Sequence, residues 1–292
     1  MKDWMRDGMS KKIKRVSRYG RTVQIKPIIL QPRDAEIMAM VSEFRLLSRE
    51  QIQRLFDFTC ITRVNIRLKK LFDHGYLSRK LLPNLWGNPK VLYFLGHKGI
   101  EIVSGRLGQN AGVLKKEREI LLGQRDLFLD HQLFLNETRI TLSLAVNNHP
   151  LIKMLGWRKD SDCLIEFLSN QGSRISMRPD SYFCLSYRGK PYPFFLEVDR
   201  STMSNRQMKS KARAYLDYAL SGFFEHDFGS KYFRVLIITK TLERLINLKS
   251  SIEELTDKIF YFSFKENLCR DPFFDPIWYR AGRQGNFSLL DP

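Results

Sequence analysis

The sequence contains few cysteines, and none of them forms a recognisable pair. The four cysteines are widely separated, and no CxxC motif occurs. Zinc sites and disulfide frameworks both need closely spaced or regularly arranged cysteines, so we expect neither. The pattern predicts reduced packing residues in a cytoplasmic protein, namely Cys60, Cys163, Cys184 and Cys269.

Long apolar segments are also lacking. The longest runs, around FRVLIITK and IFYFSF, are far shorter than the ~20 residues of a transmembrane helix. No signal-peptide pattern opens the sequence. We therefore expect a cytoplasmic protein with no membrane partner.

Several catalytic motifs are missing too. The phosphate loop GxxxxGK[ST] is absent, which argues against an ATPase or a helicase. The sequence has no GxSxG motif, and its five histidines are scattered, which argues against a nucleophilic triad. A relaxase would need clustered histidines beside a tyrosine, and neither an HxH nor an HxxxH spacing occurs.

Acidic residues are in short supply. The 292 residues include 49 Lys and Arg but 31 Asp and Glu, which gives a net charge of +18. Such a balance predicts a polyanionic partner, and DNA or RNA is favoured over a membrane surface. A hydrophobic content of 43% suffices for one large core or two modest ones.

The first segment of the chain, residues 1–33, predicts a basic arm. Its apolar pattern is weak, and only Asp3 and Asp7 oppose its positive charge. Such a segment can become ordered on a partner. The cations that define it are Lys11, Lys12, Lys14, Arg15, Arg18, Arg21 and Lys26.

Residues 34–107 predict a winged helix-turn-helix. Asp34 is suited to cap a first helix, AEIMAMVSEFR, and Ser48 with Gln51 forms a capping box for a second. A third helix is predicted to begin at Thr62 and to end at Gly75. Two strand-like runs, YLSRKLL and VLYFL, follow and are joined by PNLWGNPK.

The third helix carries the features of a DNA-recognition helix. Its apolar stripe should pack inward and consists of Ile61, Val64, Leu68, Leu71 and Phe72. Long cations on such a helix reach phosphates or guanine edges of double-stranded DNA. The predicted DNA-binding residues are Arg63, Arg67, Lys69 and Lys70 of the helix and Lys90 of the wing, next to Trp86. The alternative is that these charges only keep the domain soluble, or that it docks to a protein.

Residues 108–125 predict a linker or connecting helix, and residues 126–292 a second domain. Its first element is a long helix, DLFLDHQLFLNETRITLSLAV, followed by a strand near CLIEFLS and an acidic hairpin. A helix, the strand FRVLIIT, another helix and the strand IFYFSF complete the domain. The order α-β-β-β-α-β predicts an α/β (overall α+β) fold with helices on the faces of a mixed sheet.

The acidic hairpin is the stretch RPDSYFCLSYRGKPYPFFLEVDRST, residues 178–202. A turn centred on RGKP would place Asp180 opposite Asp199 and Tyr182 opposite Glu197. Strand alternation then brings the three acids to one face of the hairpin. Because facing like charges repel, such an arrangement favours a bound cation, and oxygen ligands suit Mg²⁺ or Mn²⁺.

The neighbouring helices offer partners for these acids. In the helix after the hairpin, Gln207, Lys211 and Tyr215 share one face, and Lys209 is close by. A lysine directed at the acids can orient an attacking water or stabilise a phosphate. In the helix before the sheet, Glu137 lies within an apolar stripe and is a candidate extra metal ligand; His131 is the second candidate there.

The string RPD at 178–180, FFLEVD at 194–199 and the following helix with Lys and Tyr resemble the plasmid replication-relaxation family. The likeness covers about residues 34–280. It implies an N-terminal winged helix and a C-terminal domain similar to the PD-(D/E)XK nucleases. It also implies Pro179-Asp180 as the first motif and Glu197 as the acid of the second. This sequence departs from the pattern at Asp199, where a lysine is expected, and a lysine of the next helix, Lys211 or Lys209, would replace it.

The sequence therefore favours a Mg²⁺-dependent DNA endonuclease of a plasmid or other mobile element. In this interpretation Asp180 and Glu197 hold the metal, with Glu137 as an extra ligand. Asp199 is an adjunct ligand or base, and Lys211 orients water. The protein can also act as a homodimer or with partner proteins of the element.

Two alternatives stay open. In the first, the protein is a DNA-binding replication or mobilisation accessory, or a transcriptional regulator, with a degenerate nuclease fold. Its acids would then pair with arginines, such as Arg178, Arg200 or Arg213, in a structural core. In the second, the protein is a protein–protein adaptor.

Overall fold

A computed structural model of the chain describes residues 20–22, 25–83, 87–169, 171–201, 203–270 and 273–290. The chain divides into two units, Met1–Gln124 and Arg125–Pro292. The described part is a mixed α+β structure with ten α-helices and a mixed sheet. Within these ranges, no helix combines the length and the apolar character that crossing a bilayer requires.

The first unit contains a cluster of helices and a small antiparallel sheet. Its strands are ordered β1-β3-β2, and the three helices and the hairpin follow one another as the sequence predicts. The predicted wing turn at Trp86 lies outside the described residues, as does the basic arm before Gly20. The elements are α1 (Pro32–Glu43), β1 (Leu47–Ser48), α2 (Arg49–Leu55), α3 (Ile61–Asp73), β2 (Leu77–Leu82), β3 (Lys90–Leu95), α4 (His97–Leu107) and α5 (Ala111–Gly123).

The predicted N-terminal caps of the first two helices can be compared with the residues at which these helices begin. The Ser48 side chain accepts a hydrogen bond from the Gln51 backbone N–H, and the capping box is complete, so this prediction is confirmed. The prediction that Asp34 caps α1 is wrong. Gln31 is the cap, and Asp34 is the third residue of the helix and completes a capping box there. The helix begins earlier because Pro32 suits its first turn, where no N–H donor is needed.

The segment predicted as a linker or connecting helix forms α5 and packs on the first unit. Lys80 donates hydrogen bonds to the carbonyls of Leu122, at 2.9 Å, and Gln124, at 2.6 Å. Arg45 pairs with Glu117 at 2.7 Å. These contacts fasten the middle and the C-terminal end of α5 to the rest of the unit.

The second unit is built around a six-stranded sheet of order β11-β10-β9-β8-β7-β4. Its elements are α6 (Asp126–Asn147), β4 (Ile152–Lys159), β5 (Ile165–Leu168), β6 (Arg174–Met177), β7 (Ser181–Tyr187), β8 (Lys190–Asp199), α7 (Asn205–Ser221), α8 (Phe223–Phe228), β9 (Arg234–Thr239), α9 (Leu242–Glu253), β10 (Phe260–Phe264), α10 (Lys265–Arg270) and β11 (Tyr279–Arg280).

The first strand of this sheet differs from the prediction. The strand near CLIEFLS, β5, pairs with β6 in a separate two-stranded sheet. The sheet edge is formed by β4, which the sequence did not predict. Four of its eight residues are exposed and three are partly exposed, and a bulge between Met154 and Gly156 interrupts the alternation of inward and outward side chains. A strand of this kind lacks the regular pattern by which strands are recognised.

Strand β8 lies inside the sheet, and helices cover both faces. It pairs antiparallel with β7 and parallel with β9. The parallel pair β8–β9 is connected by α7 and α8, and the parallel pair β9–β10 by α9. One face packs on α7, α8 and α9 through residues such as Phe195, Ile237 and Phe262, and the other on α6 through residues such as Leu196 and Ile238.

The register of the acidic hairpin also differs from the prediction. Tyr182 pairs with Phe195 and not with Glu197, so the two strands are shifted by two residues. The turn contains only Arg188 and Gly189, with φ of 50° and 78°, as in the tight turns that match the twist of a hairpin. Because side chains alternate with a period of two, a two-residue shift leaves every residue on its predicted face.

Candidate functional site

Glu197 is the centre of a buried polar cluster beside the six-stranded sheet. Its side chain is 3% exposed and points towards α7. Lys211 donates to Oε2 at 2.5 Å, and the Tyr215 hydroxyl donates to Oε1. Lys211 and Tyr215 are four residues apart, so they project from the same face of α7. Gln207, predicted on that face, instead completes the capping box at Ser204.

Asp180 lies next to the same point of the sheet. It directly precedes β7, and its Oδ2 accepts a hydrogen bond from the Val198 backbone N–H at 2.7 Å. Val198 follows Glu197 in β8, so the two carboxyl groups approach each other from neighbouring strands. The Asp180 side chain is 21% exposed, so solvent reaches the cluster on this side.

The charges of the cluster perturb one another. Burial raises the pKa of Glu197 to about 7, with a further contribution from Asp180 and against the attraction of Lys211. Burial also acts upward on the pKa of Asp180, but the neighbouring His131, Lys211 and Val198 N–H outweigh it and lower the value. Burial alone would lower the pKa of Lys211, but Glu197 and Asp180 raise it, so the amine stays protonated at neutral pH.

Helix α6 supplies His131 to this cluster. The His131 Nε2 lies 3.2 Å from Asp180 Oδ2. Burial would lower the pKa of His131, but the hydrogen bond and charge of Asp180 raise it. One residue earlier, Asp130 forms an ion pair with Arg200, which follows β8 and fixes this end of α6. Glu137 lies six residues after His131, roughly 9 Å further along the helix axis, and on a different side of the helix.

Asp199 and Lys209 have other partners. The fully buried Asp199 accepts a hydrogen bond from Arg244 Nε at 2.6 Å, although its Oδ1 has no partner among the described residues. Arg244 also donates to the Met203 carbonyl at 2.5 Å, so the pair fixes the connection between β8 and α7. Lys209 pairs with Glu254. Lys211 is therefore the lysine of α7 that contacts the acids.

The donor set of the cluster fits a magnesium ion that is bound mainly by water and phosphate. Mg²⁺ is commonly held by one or two carboxylates and keeps several waters. Asp180 and Glu197 offer two carboxylates, and one of them is partly exposed. Among the described residues, no group of three His, Cys, Asp or Glu side chains could hold a metal ion.

The predicted DNA-binding residues of the first unit fall into two groups. Arg63, Lys70 and Lys90 are exposed. Arg67 pairs with the buried Asp34 and donates to the Ile29 carbonyl at 3.0 Å, and Lys69 pairs with Asp73. Lys69 also donates to the Thr22 hydroxyl at 2.9 Å, so these two cations fasten α3 to the preceding chain.

The inward stripe of α3 is confirmed except at one residue. Val64, Leu68, Leu71 and Phe72 are buried, but Ile61 is 46% exposed. Ile61 is the first residue of the helix, and at this end the core does not extend to its side chain.

A family model described as replication-relaxation matches residues 38–231, well over half of the chain. The chain belongs to the replication-relaxation family. The matched segment includes α3, the acidic hairpin, Lys211 and Tyr215. Membership of the replication-relaxation family points to the replication or mobilisation of a plasmid or other mobile element. No curated protein and no solved structure matches the chain significantly.

Two contacts of this replication-relaxation protein are not apparent from its sequence. The partner of Asp199 is Arg244, 45 residues further along the chain, and no local spacing connects them. The α6 residue beside Asp180 is His131, which the sequence ranks behind Glu137 because a buried acid is the more unusual feature. Whether His131 or Glu137 lies beside Asp180 depends on the direction in which α6 crosses the sheet, and the sequence does not give that direction.

Proposed function

We propose that this replication-relaxation protein binds double-stranded DNA through α3 and hydrolyses a phosphodiester bond with Mg²⁺ at Asp180 and Glu197. The proposal is supported by two observations: a protonated amine contacts Glu197, and Asp180 binds the backbone N–H of the next residue, close enough to act on the pKa of Glu197 and Lys211. Asp180 and Glu197 come from neighbouring strands, and Lys211 lies 2.5 Å from Glu197.

In this proposal Asp180 and Glu197 hold the ion. When bound, Mg²⁺ supplies a lowered water pKa and compensates negative charge on the phosphate. Hydrolysis joins the water oxygen to phosphorus, breaks the bond to the leaving sugar oxygen and ends with a proton on that oxygen. Lys211 stays protonated, so it is a hydrogen-bond donor to a phosphate oxygen or to the water and not a base.

The proposed DNA contact rests on charge and exposure. Arg63 and Lys70 lie on the exposed flank of α3, and Lys90 begins the strand after the wing turn. The described chain begins near the end of this helix, where Lys69 donates to the Gly20 carbonyl at 3.3 Å. Gly20, the first residue that the structure describes, therefore lies beside α3.

A second function, DNA binding without cleavage, is favoured by how completely Glu197 is covered. Both of its carboxylate oxygens accept a hydrogen bond, and 3% of the side chain is exposed. A buried carboxylate whose two oxygens already accept hydrogen bonds can form part of the core without a metal ion. Such a protein would be a replication or mobilisation accessory, or a regulator, that acts by occupying its DNA site.

A plasmid-nicking assay separates the two functions. Purified wild type and Asp180→Ala are incubated with supercoiled plasmid and Mg²⁺ or Mn²⁺, with chelator as the metal control. We expect nicking by the wild type and at least ~100-fold less by Asp180→Ala, because the metal loses a ligand. The matched control is Asp162→Ala, an exposed acid of the same unit, which should retain activity. Absence of nicking by the wild type, or equal nicking by both proteins, would leave only the second function.

A mobility-shift titration against salt tests the DNA contact independently. Each phosphate contact contributes about −0.9 to the slope of log K against log salt concentration. We expect Lys70→Ala to make the slope about one unit shallower. Lys116→Ala, an exposed lysine of α5, should leave it unchanged. A wild-type affinity that does not depend on salt would contradict the contact and favour the adaptor.

A further inference from the structure

Helix α3 has an apolar residue at the middle of its outward side. At 3.6 residues per turn, the side opposite the buried Val64, Leu68 and Leu71 is occupied by Thr62 and Ile66, followed by the ion pair of Lys69 and Asp73. Ile66 is 53% exposed, although its side chain is as apolar as those of the core. Asn65, also exposed, lies on the flank towards β3, where its Oδ1 accepts a hydrogen bond from Arg49 Nη1 at 3.5 Å.

This outward side is the crest of a ridge between two clefts. One cleft, of about 630 Å³, lies between α3 and the start of β3. The other, of about 580 Å³, lies between α3 and the segment before it, and Ile66 lines both. The cations of the first cleft are Arg49, Lys69, Arg79 and Lys90, against Glu50; those of the second are Arg33, Arg63, Arg67 and Lys70, against Asp34 and Asp57.

The shape of the ridge matches a DNA major groove. Helix α3 has 13 residues, which gives a length of roughly 20 Å, and a helix of ~10–12 Å diameter enters a major groove of ~12 Å width. The exposed cations of the two clefts, Lys90 in the first and Arg63 and Lys70 in the second, would then meet the two phosphate backbones. The crest, which carries no charge at Thr62, Asn65 and Ile66, would meet the base edges.

We propose that Thr62, Asn65 and Ile66 read A·T base pairs in the major groove, with Ile66 in contact with a thymine methyl group. This inference rests on the proposed DNA binding and adds the bases that are read. Apolar side chains and the methyl group of threonine contact the C5-methyl of thymine, and an asparagine amide can pair with the N6 and N7 of adenine. Lys69, on the same side of the helix, is paired with Asp73 and is therefore not free to contact guanine.

The same exposed isoleucine would suit a protein partner if its surroundings were apolar. The centres of protein interfaces are depleted of charged residues, however, and α3 is flanked by cations in both clefts. A polyanion compensates these charges, whereas an uncharged protein surface would bury them. The surroundings of Ile66 therefore favour DNA.

The test removes the methyl group from the DNA side of the contact and all of the side chain beyond Cβ from the protein side. The full-length protein first selects its preferred duplex from a random library. Each thymine of the selected core is then replaced by deoxyuridine, which lacks only the methyl group, and the affinities of wild type, Ile66→Ala and Ile120→Ala are measured. Ile120, on α5 of the same unit, is 50% exposed and is the matched control.

We expect one deoxyuridine to weaken binding by wild type and Ile120→Ala about fourfold, the equivalent of ~0.8 kcal/mol for one buried methylene-sized group. Binding by Ile66→Ala should not change at that position, because its contact with the methyl group is already lost. The inference is overturned if the selected core has no thymine that behaves so, or if Ile66→Ala responds like wild type. A protein that binds no duplex at low salt would instead contradict the proposed DNA binding itself.

Discussion

Replacement of Lys211 by Met is expected to destabilise the protein in a pH-dependent way. In the wild type, the folded state holds the Glu197 proton up to pH 7, whereas the unfolded state loses it near 4.5. The free energy of unfolding therefore falls as the pH rises through this interval, by about 3 kcal/mol at ~1.4 kcal/mol per pH unit, and levels off above pH 7. Lys211 limits this loss because its charge stabilises the ionised carboxylate.

Without Lys211, the pKa of Glu197 rises further, and the loss of stability continues above pH 7. The difference in unfolding free energy between wild type and Lys211→Met should then grow by about 1.4 kcal/mol from pH 6 to pH 8. The total cost at pH 8 should be about 3–5 kcal/mol, as for other buried ion pairs that lose one partner.

Urea unfolding at pH 6, 7 and 8 measures this difference, and protection of the β7 and β8 amides from hydrogen exchange reports on the second unit. The matched control is Lys209→Met, two residues away on the same helix. Its partner Glu254 is 67% exposed, so its cost should be below ~1 kcal/mol and independent of pH. Parallel pH curves for wild type and Lys211→Met would refute the assignment of Lys211 as the counter-ion of a buried, titrating Glu197.

Three further predictions concern the first unit and the thiols. Arg67→Ala should destabilise the protein by about 3 kcal/mol in thermal unfolding, because it leaves a buried Asp34 unpaired; a cost below 0.5 kcal/mol would contradict this. Deletion of residues 1–19, which removes seven Lys and Arg and two Asp, should make the salt slope of DNA binding shallower, and an unchanged slope would exclude the arm from the contact. Iodoacetamide should label Cys60 before Cys163 in mass spectrometry. The neighbouring Arg63 and Thr62 backbone N–H groups lower the pKa of Cys60, whereas burial raises the pKa of Cys163 to about 12. Labelling of Cys163 before Cys60 would contradict the accessibility of Cys60 at the start of α3.

The elements of the fold that carry strong local signals were predictable. Ser48 caps α2 because a serine followed by a glutamine three residues later satisfies the free N–H groups of a helix start. The parallel pairing of β8 and β9 follows from a helix between two apolar strands. Strand β4 has no such signal, since its bulge and its exposed and partly exposed side chains interrupt the alternation.

The sequence singles out Asp180, Glu197 and Lys211, which lie in one polar cluster, but it also proposes Asp199, whose partner is Arg244. Asp180 and Glu197 remain on one face although the predicted register is wrong, because the register differs by an even number of residues. The pairing of Arg67 with Asp34 could not be read from the sequence, because a lysine or arginine beside an apolar stripe looks the same whether it faces solvent or an acid. Tertiary contacts, not helix periodicity, decide which cations of α3 are exposed.

The short spacing of the polar cluster has a consequence for folding. Asp180, Glu197, Lys211 and Tyr215 belong to one continuous stretch of 36 residues, so little loop-closure entropy is lost when they meet. We expect the hairpin and α7 to associate early, before the distant residues of β10 and β11 complete the sheet. The residues proposed for catalysis would thus also form a local folding nucleus.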